Sequence, residues 1–271
     1  MKKIFLVTIL SFVTFGCSVD NSDVQTLPVI VFNENLILRT QADVDAFGAQ
    51  RYDVINGYLN IGDRWTENHI PVPSDITDLS PLHTIISVTR QVEIQSNPLL
   101  TSLEGLSSLS VASGLVINDN ENLTSLDGLT NFKAIDGNSF LSRQTIYSGG
   151  VISLLNNLSL TSIEALNNIN PQVISRVSIN NTGLSTLEGL EKITSVASLN
   201  VINNDNLISL EALEGLASIN NTVFIFGNDL LSNYCILQTP LQNNSVLAIY
   251  NVSENQFNPT QQNIIDGDCS Q

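Results

Sequence analysis

A seven-residue motif recurs along this chain, and its recurrence restricts the fold more than any other feature. The copies are Leu100-Thr101-Ser102-Leu103-Glu104-Gly105-Leu106, Leu123 to Leu129, Leu160 to Leu166, Leu184 to Leu190 and Leu207 to Leu213, or L-x-[ST]-[LI]-[DE]-[GA]-L. A weaker copy runs from Ile76 to Leu82, and a degenerate last one from Leu231 to Leu237. Anchors at positions 79, 103, 126, 163, 187, 210 and 234 are spaced 24, 23, 37, 24, 23 and 24. The outlier equals one repeat plus an insert, placed at Asn138 to Gly150.

Each part of the repeat has a physical reading. Short alternating runs precede the anchors: Val92-Glu93-Ile94, Leu115-Val116-Ile117, Ile152-Ser153-Leu154, Val177-Ser178-Ile179, Leu199-Asn200-Val201 and Val223-Phe224-Ile225. These predict strands whose first and third residues face inward. Asn97, Asn120, Asn157, Asn181, Asn204 and Asn228 each stand three residues before the motif's first Leu. Asn tolerates turn conformations and bonds nearby backbone, so stacked copies form a ladder. Ser or Thr at 102, 125, 162, 186 and 209 is placed to cap a single helical turn, with the acidic residue two places on favoured by the turn's dipole.

One repeat of this length cannot bury its own apolar face, whereas stacked repeats make a continuous core. The expected fold is mainly β: a right-handed β-helix or leucine-rich-repeat-like solenoid of about eight coils with short helical caps, running from Tyr58-Leu59-Asn60-Ile61 to Leu247-Ala248-Ile249-Tyr250. At the N-terminal end Leu36-Ile37-Leu38 reads as a strand. Thr40 then caps a helix from Gln41 to about Phe47, with Val44 and Phe47 inward and Gly48 stopping it. At the other end Asn258-Pro259-Thr260 opens a helix with Pro at its first position, running to Gly267. Cys235 and Cys269 are expected to staple this cap to the last coil. A metal site is the alternative for the pair, disfavoured because no His lies near.

These repeats, strands and caps resemble the receptor L domain, the leucine-rich β-helix of insulin and epidermal growth factor receptor ectodomains, which recurs in bacterial surface lipoproteins. The resemblance covers about Leu36 to Cys269. In receptors it implies protein-ligand binding. The flanking cysteine-rich modules and kinase of those receptors are missing, so signalling is not implied.

Ahead of the repeats, Met1-Lys2-Lys3 is a basic start and Ile4 to Phe15 is an uncharged apolar run too short to span a bilayer. Gly16-Cys17 follows and looks like a bacterial lipobox, although Thr14 stands where such motifs carry Leu. Residues 1–16 are therefore expected to be a lipoprotein signal peptide, with 17–28 a lipidated Cys17 and flexible tether and 29–271 the solenoid. The alternative is an ordinary secretory signal with an accidental Cys. Cysteine parity favours lipidation, since pairing Cys235 with Cys269 leaves one of three without a role. Asp20 and Asp23 just beyond it resemble the export signal of surface lipoproteins, so an outer-membrane, surface-exposed anchor is expected.

Removing Lys2 and Lys3 leaves eight Lys+Arg against 26 Asp+Glu, a balance of −18. That charge disfavours nucleic acid and electrostatic docking on anionic lipid, leaving the anchor as the membrane contact. No nucleophile elbow, zincin motif, phosphate loop or dinucleotide fingerprint is present, and no cofactor is implied. His69 and His83 read as surface residues. Glu104, Asp127, Glu164, Glu188 and Glu211 form one acidic column, open to two readings: a cation-binding ribbon, or five solvated residues each offset by its own helical turn.

Outward strand positions turn aromatic toward the C-terminus: Ile202, then Phe224 and Phe226, then Tyr250. Contiguous exposed aromatics mark partner sites; the other reading is that the insert or the C-terminal segment covers them. Trp65 in the loop Gly62 to Ser74, and Arg143 and Tyr147 in the insert, are further candidates. The expected function is a non-enzymatic surface lipoprotein that binds an unidentified protein or glycan. The alternatives are a carbohydrate-active β-helix enzyme and a structural surface-layer component.

Overall fold

The computed structural model describes residues 28–62, 72–135, 150–169, 172–243 and 247–271. It is mainly β, with two parallel sheets and few helices. Chain order runs β1 (Val31–Phe32), β2 (Leu36–Leu38), α1 (Gln41–Gly48), β3 (Val54–Ile55), β4 (Leu59–Ile61), β5 (Ser87–Val88), β6 (Gln91–Gln95), β7 (Val111–Ala112) and β8 (Gly114–Asn118). It continues β9 (Ala134–Ile135), β10 (Gly150–Asn157), β11 (Gln172–Thr182), β12 (Ile193–Ile202), β13 (Ser218–Phe226), α2 (Gln238–Asn243), β14 (Ile249–Ser253) and α3 (Gln261–Asp266).

The large sheet has nine strands in the order β14-β13-β12-β11-β10-β8-β6-β4-β2, and the small one five, β1-β3-β5-β7-β9. Every neighbouring pair is parallel, and the expected inward residues share rows: Leu59, Val92, Leu115, Ile152, Val177, Leu199 and Val223 pair in sequence. The long spacing does not disturb this register. β8 pairs directly with β10, and Ser125 bridges Ser162, so the repeats on either side of the insert are direct neighbours.

The small sheet was not anticipated, because strands of two residues carry no alternation to read. From β10 onward the strands lengthen. β9 lies against β11, and register shifts at Gly150/Val151, Gln172/Val173 and Val196/Ser198 bend the long strands between the two directions.

The motif leucines are buried and belong to one cluster running from Leu36 to Cys269. Single 3-10 turns follow the anchors at Ser80–Leu82, Glu104–Leu106, Asp127–Leu129, Glu164–Asn168, Glu211–Leu213 and Cys235–Leu237. Their [GA] position has a steric cause. A Cβ on Gly105 would stand 1.8 Å from Leu79 O, and one on Gly128 1.9 Å from Leu103 O. At these two positions the turn rests on the anchor carbonyl of the preceding repeat, so not even an Ala methyl fits there without displacing backbone.

Ser102, Ser125, Ser162 and Ser209 hydroxyls accept the backbone N–H of the acidic residue two places on, at 3.1, 3.4, 3.3 and 3.0 Å. Thr186 departs from the expectation. Its repeat forms no 3-10 turn; Gly189 adopts φ +113° and its N–H donates to the Glu191 carboxylate at 2.9 Å.

The asparagine ladder is present and extends further than expected. Asn97, Asn120, Asn157, Asn204 and Asn228 are fully buried. Asn120 Nδ2 donates to Ile94 O and Asn118 O, both at 2.9 Å, while its Oδ1 accepts from the N–H and Nδ2 of Asn97 at 3.3 and 3.0 Å. Ser74 closes the first end, its hydroxyl donating to Asn97 Oδ1 at 2.6 Å. Asn255 extends the other, and Asn258 Oδ1 accepts from its N–H and Nδ2 at 2.9 and 3.2 Å.

Asn181 is a correction. It takes φ +54° in the row with Ser96, Asp119, Asn156 and Asn203, and Thr182 occupies the ladder, its hydroxyl donating to Asn204 Oδ1 at 2.8 Å. That repeat is one residue shorter between ladder and motif, which moved the asparagine out of phase.

Both caps differ from expectation in detail. Thr40 caps α1 through a capping box with Asp43, and Val44 is buried. Gly48 does not end the helix in a left-handed turn; a Cβ there would stand 2.4 Å from Pro81 Cβ, so close packing requires it. Phe32, Phe47 and Tyr52 form an aromatic triad with centroids 5.1–5.3 Å apart. In α3, Thr260 is the N-cap, paired with Asn263, so Pro259 precedes the cap rather than opening the helix. α2 was unanticipated. Cys235 and Cys269 form the expected disulfide, with Cα atoms 4.9 Å apart.

Two outcomes follow for stability. Asn120→Ala strands several buried backbone groups and should cost about 3 kcal/mol or more in denaturant unfolding, whereas Asn122→Ala, at an exposed neighbour, should cost about 1 kcal/mol or less. Cys235→Ser with Cys269→Ser releases a 34-residue separation and should cost about 3 kcal/mol, matched in the native sequence by adding reductant.

Candidate binding surface

Parallel pairing lays the outward side chains of the large sheet in rows. One row runs Asn60, Glu93, Val116, Ser153, Ser178, Asn200, Phe224, Asn251. The next runs Gln95, Asn118, Leu155, Asn180, Ile202, Phe226, Ser253. At the early end Glu93 is held by amides: Asn60 Nδ2 and Gln95 Nε2 donate to its Oε2 at 3.2 and 2.9 Å. Beside it, Asn118 Oδ1 is buried with no hydrogen-bond partner among the described residues.

Phe224, Phe226 and Ile202 meet on this face as expected. The two rings are 6.3 Å apart at a 40° tilt, and Ile202 pairs with Phe226 across the strands. All three are half-buried by their neighbours.

Tyr250 does not join them. The expected strand Leu247 to Tyr250 is displaced: β14 is Ile249–Ser253, and Tyr250 pairs with the inward Val223. Its hydroxyl donates to Pro259 O at 2.8 Å under the C-terminal cap. The outward positions beside the phenylalanines are instead Asn251 and Ser253, whose hydroxyl donates to Asn251 Oδ1 at 2.7 Å. The sequence carried the signal for this: inward residues lie five and three places before each ladder residue, and counting back from Asn255 gives Tyr250 and Val252.

The acidic column lies on the turns, away from these rows. Glu104, Asp127, Glu164, Glu188 and Glu211 are all exposed. Among the described residues no group of three or more His, Cys, Asp or Glu could hold a metal ion. A cleft of about 440 Å³ between the first two turns is lined by residues including Asp78, His83 and Glu104. Asp78 is committed there, accepting from the N–H and hydroxyl of Ser80 at 2.7 Å each. His83 is exposed, with Nδ1 3.0 Å from Ser80 O. Cys17, Trp65, His69, Arg143 and Tyr147 lie outside the described residues. Among the described residues no helix is long and apolar enough to cross a membrane.

Comparison with protein-family models and with curated proteins finds no match to this chain.

Tyr234, the last anchor, and Tyr250 both have their hydroxyl pKa pushed up, chiefly by burial. The unfolded chain gives up these protons near pH 10 while the folded chain keeps them, so folding stability should fall as pH rises past about 10. Absorbance titration at the phenolate band should show two tyrosines ionising only as the chain unfolds, and Tyr250→Phe should remove one of them.

Proposed function

We propose that this chain is a lipid-anchored, non-enzymatic binding module of the outer cell surface, built as a receptor-L-like solenoid that presents the outward face of its large sheet. Right-handed coiling and kinship with leucine-rich surface lipoproteins are part of this reading. They are supported by the recurring motif, the all-parallel pairing and the disulfide at the C-terminal end. The anchor rests on Gly16-Cys17 at the end of an apolar run and on the acidic tether behind it.

The observation that carries the reading is the island formed by Ile202, Phe224 and Phe226. Inward positions are filled by core leucines, isoleucines and valines. Outward positions face away from that core, yet three large apolar side chains adjoin there, flanked by Asn and Ser. Adjoining apolar side chains within a polar rim are where a small partner gains most from contact. The carboxylates, by contrast, are spread singly over exposed turns, an arrangement suited to solubility.

In cells, Cys17→Ala should abolish palmitate labelling, and protease shaving of intact cells should release fragments of the native protein. Phe224→Asp combined with Phe226→Asp should lower stability yet leave cooperative unfolding in place, and should eliminate partner signals on glycan and protein arrays. A double variant that binds as the native chain does removes this face from the function.

A further inference from the structure

The late end of the outward face has a composition that selects among partners. Ser178, Asn200, Phe224 and Asn251 lie in one row, and Asn180, Ile202, Phe226 and Ser253 in the next. None of these eight side chains is charged. The cation nearest along the strands, Arg176, is two positions upstream of Ser178 in the row with Ser198. Elsewhere the chain carries a net charge of −16, so a neutral field here is a local feature.

We infer that this end of the sheet binds a neutral glycan chain, lying along β13 with its ring faces on Phe224 and Phe226. The inference rests on the binding reading above and names the class of its ligand. Charge matching argues against anionic glycans, nucleic acids and charged peptides, because no cation stands in the two rows to replace their water. Area argues against a folded protein. Three half-buried apolar side chains offer roughly 200 Å², against about 800 Å² per partner in a stable protein interface.

A sugar needs less. Its apolar ring face covers an aromatic side chain while its hydroxyls exchange hydrogen bonds with flanking amides. The order amide, ring, amide (Asn200, Phe224, Asn251) supplies both in one row. Phe224 and Phe226 both belong to β13 with ring centroids 6.3 Å apart, a spacing that sets neighbouring sugar rings over neighbouring side chains. The 40° tilt between Phe224 and Phe226 keeps them from stacking on each other.

The test is affinity electrophoresis of the full chain in mild detergent. The neutral polymers are hydroxyethylcellulose, mixed-linkage β-glucan, galactomannan and soluble starch; polygalacturonate and alginate are the anionic comparators. At least one neutral polymer should retard the native chain. Phe226→Ala should weaken that retardation by about tenfold or more, the value of a good aromatic contact. Leu99→Ala, at an exposed residue off this face, should leave it unchanged.

If Phe226→Ala perturbs folding, Asn200→Ala and Asn251→Ala carry the same expectation. Retardation by no neutral polymer, stronger retardation by the anionic ones, or equal loss with Leu99→Ala overturns the inference. Cross-linking on intact cells separates the two levels. A protein cross-link that depends on Phe226 overturns the glycan and keeps the face as a binding surface. Dependence of neither glycan nor cross-link on Phe226 overturns both.

Discussion

The structure depends on one hydrogen-bonded column. At the end of each large-sheet strand the chain turns away and leaves backbone carbonyls facing a buried corner. A buried carbonyl without a partner costs free energy comparable to a lost hydrogen bond. Asparagine meets this demand because its amide both donates and accepts. Nδ2 of Asn204 reaches Ile179 O in the neighbouring strand and Ile202 O in its own, while its Oδ1 receives Thr182. The residue before each ladder position takes positive φ to make the corner: Ser96, Asp119, Asn156, Asn181, Asn203, Gly227 and Glu254. Six of these seven are not glycine. The strain of that conformation is therefore offset by the satisfied column rather than avoided by sequence.

Fixing this corner fixes the rest of the repeat. A ladder residue sets which positions before it face inward, and so which face outward. The same spacing delivers the anchor leucine to its 3-10 turn, where Gly or Ala lets the turn rest on the preceding anchor carbonyl. Thr182 shows how much latitude the column has. Its hydroxyl serves Asn204 as donor but supplies no amide to reach back, and β10, β11 and β12 remain paired around the shortened link to Leu184.

Most of this was legible because it repeats. The motif, the inward triplets, the N-cap at Thr40 and the pairing of Cys235 with Cys269 each follow from local chemistry or from a period. What escaped has no period. Two-residue strands such as Ser87–Val88 leave no alternation, and α2 begins directly after the degenerate last motif copy, at Gln238. The two register errors share a cause. Counting from the motif leucine points to Asn181 and local alternation points to Tyr250, whereas the ladder residue is the physical ruler. Counted back five and three places, Thr182 gives Val177 and Ile179, and Asn255 gives Tyr250 and Val252. Ile202, Phe224 and Phe226 stood on well-defined repeats and kept their place, while Tyr250 yielded its place to Asn251 and Ser253.

The ends of the stack bear on where function can reside. A row of parallel strands exposes an edge at each end, and open edges invite further pairing. Here the N-terminal end carries α1 and the triad of Phe32, Phe47 and Tyr52, and the ladder begins at Ser74. At the C-terminal end the ladder closes on Asn258, Tyr250 bonds Pro259, and the disulfide ties the last turn to the residues after α3. Side chains at both ends are thus committed to holding the stack, as are the inward rows and the turn corners. The outward rows of the large sheet are the part of the repeat that neither ladder nor core dictates. A cluster of phenylalanines there is set by neither the ladder nor the core, and the proposed binding reading rests on that face.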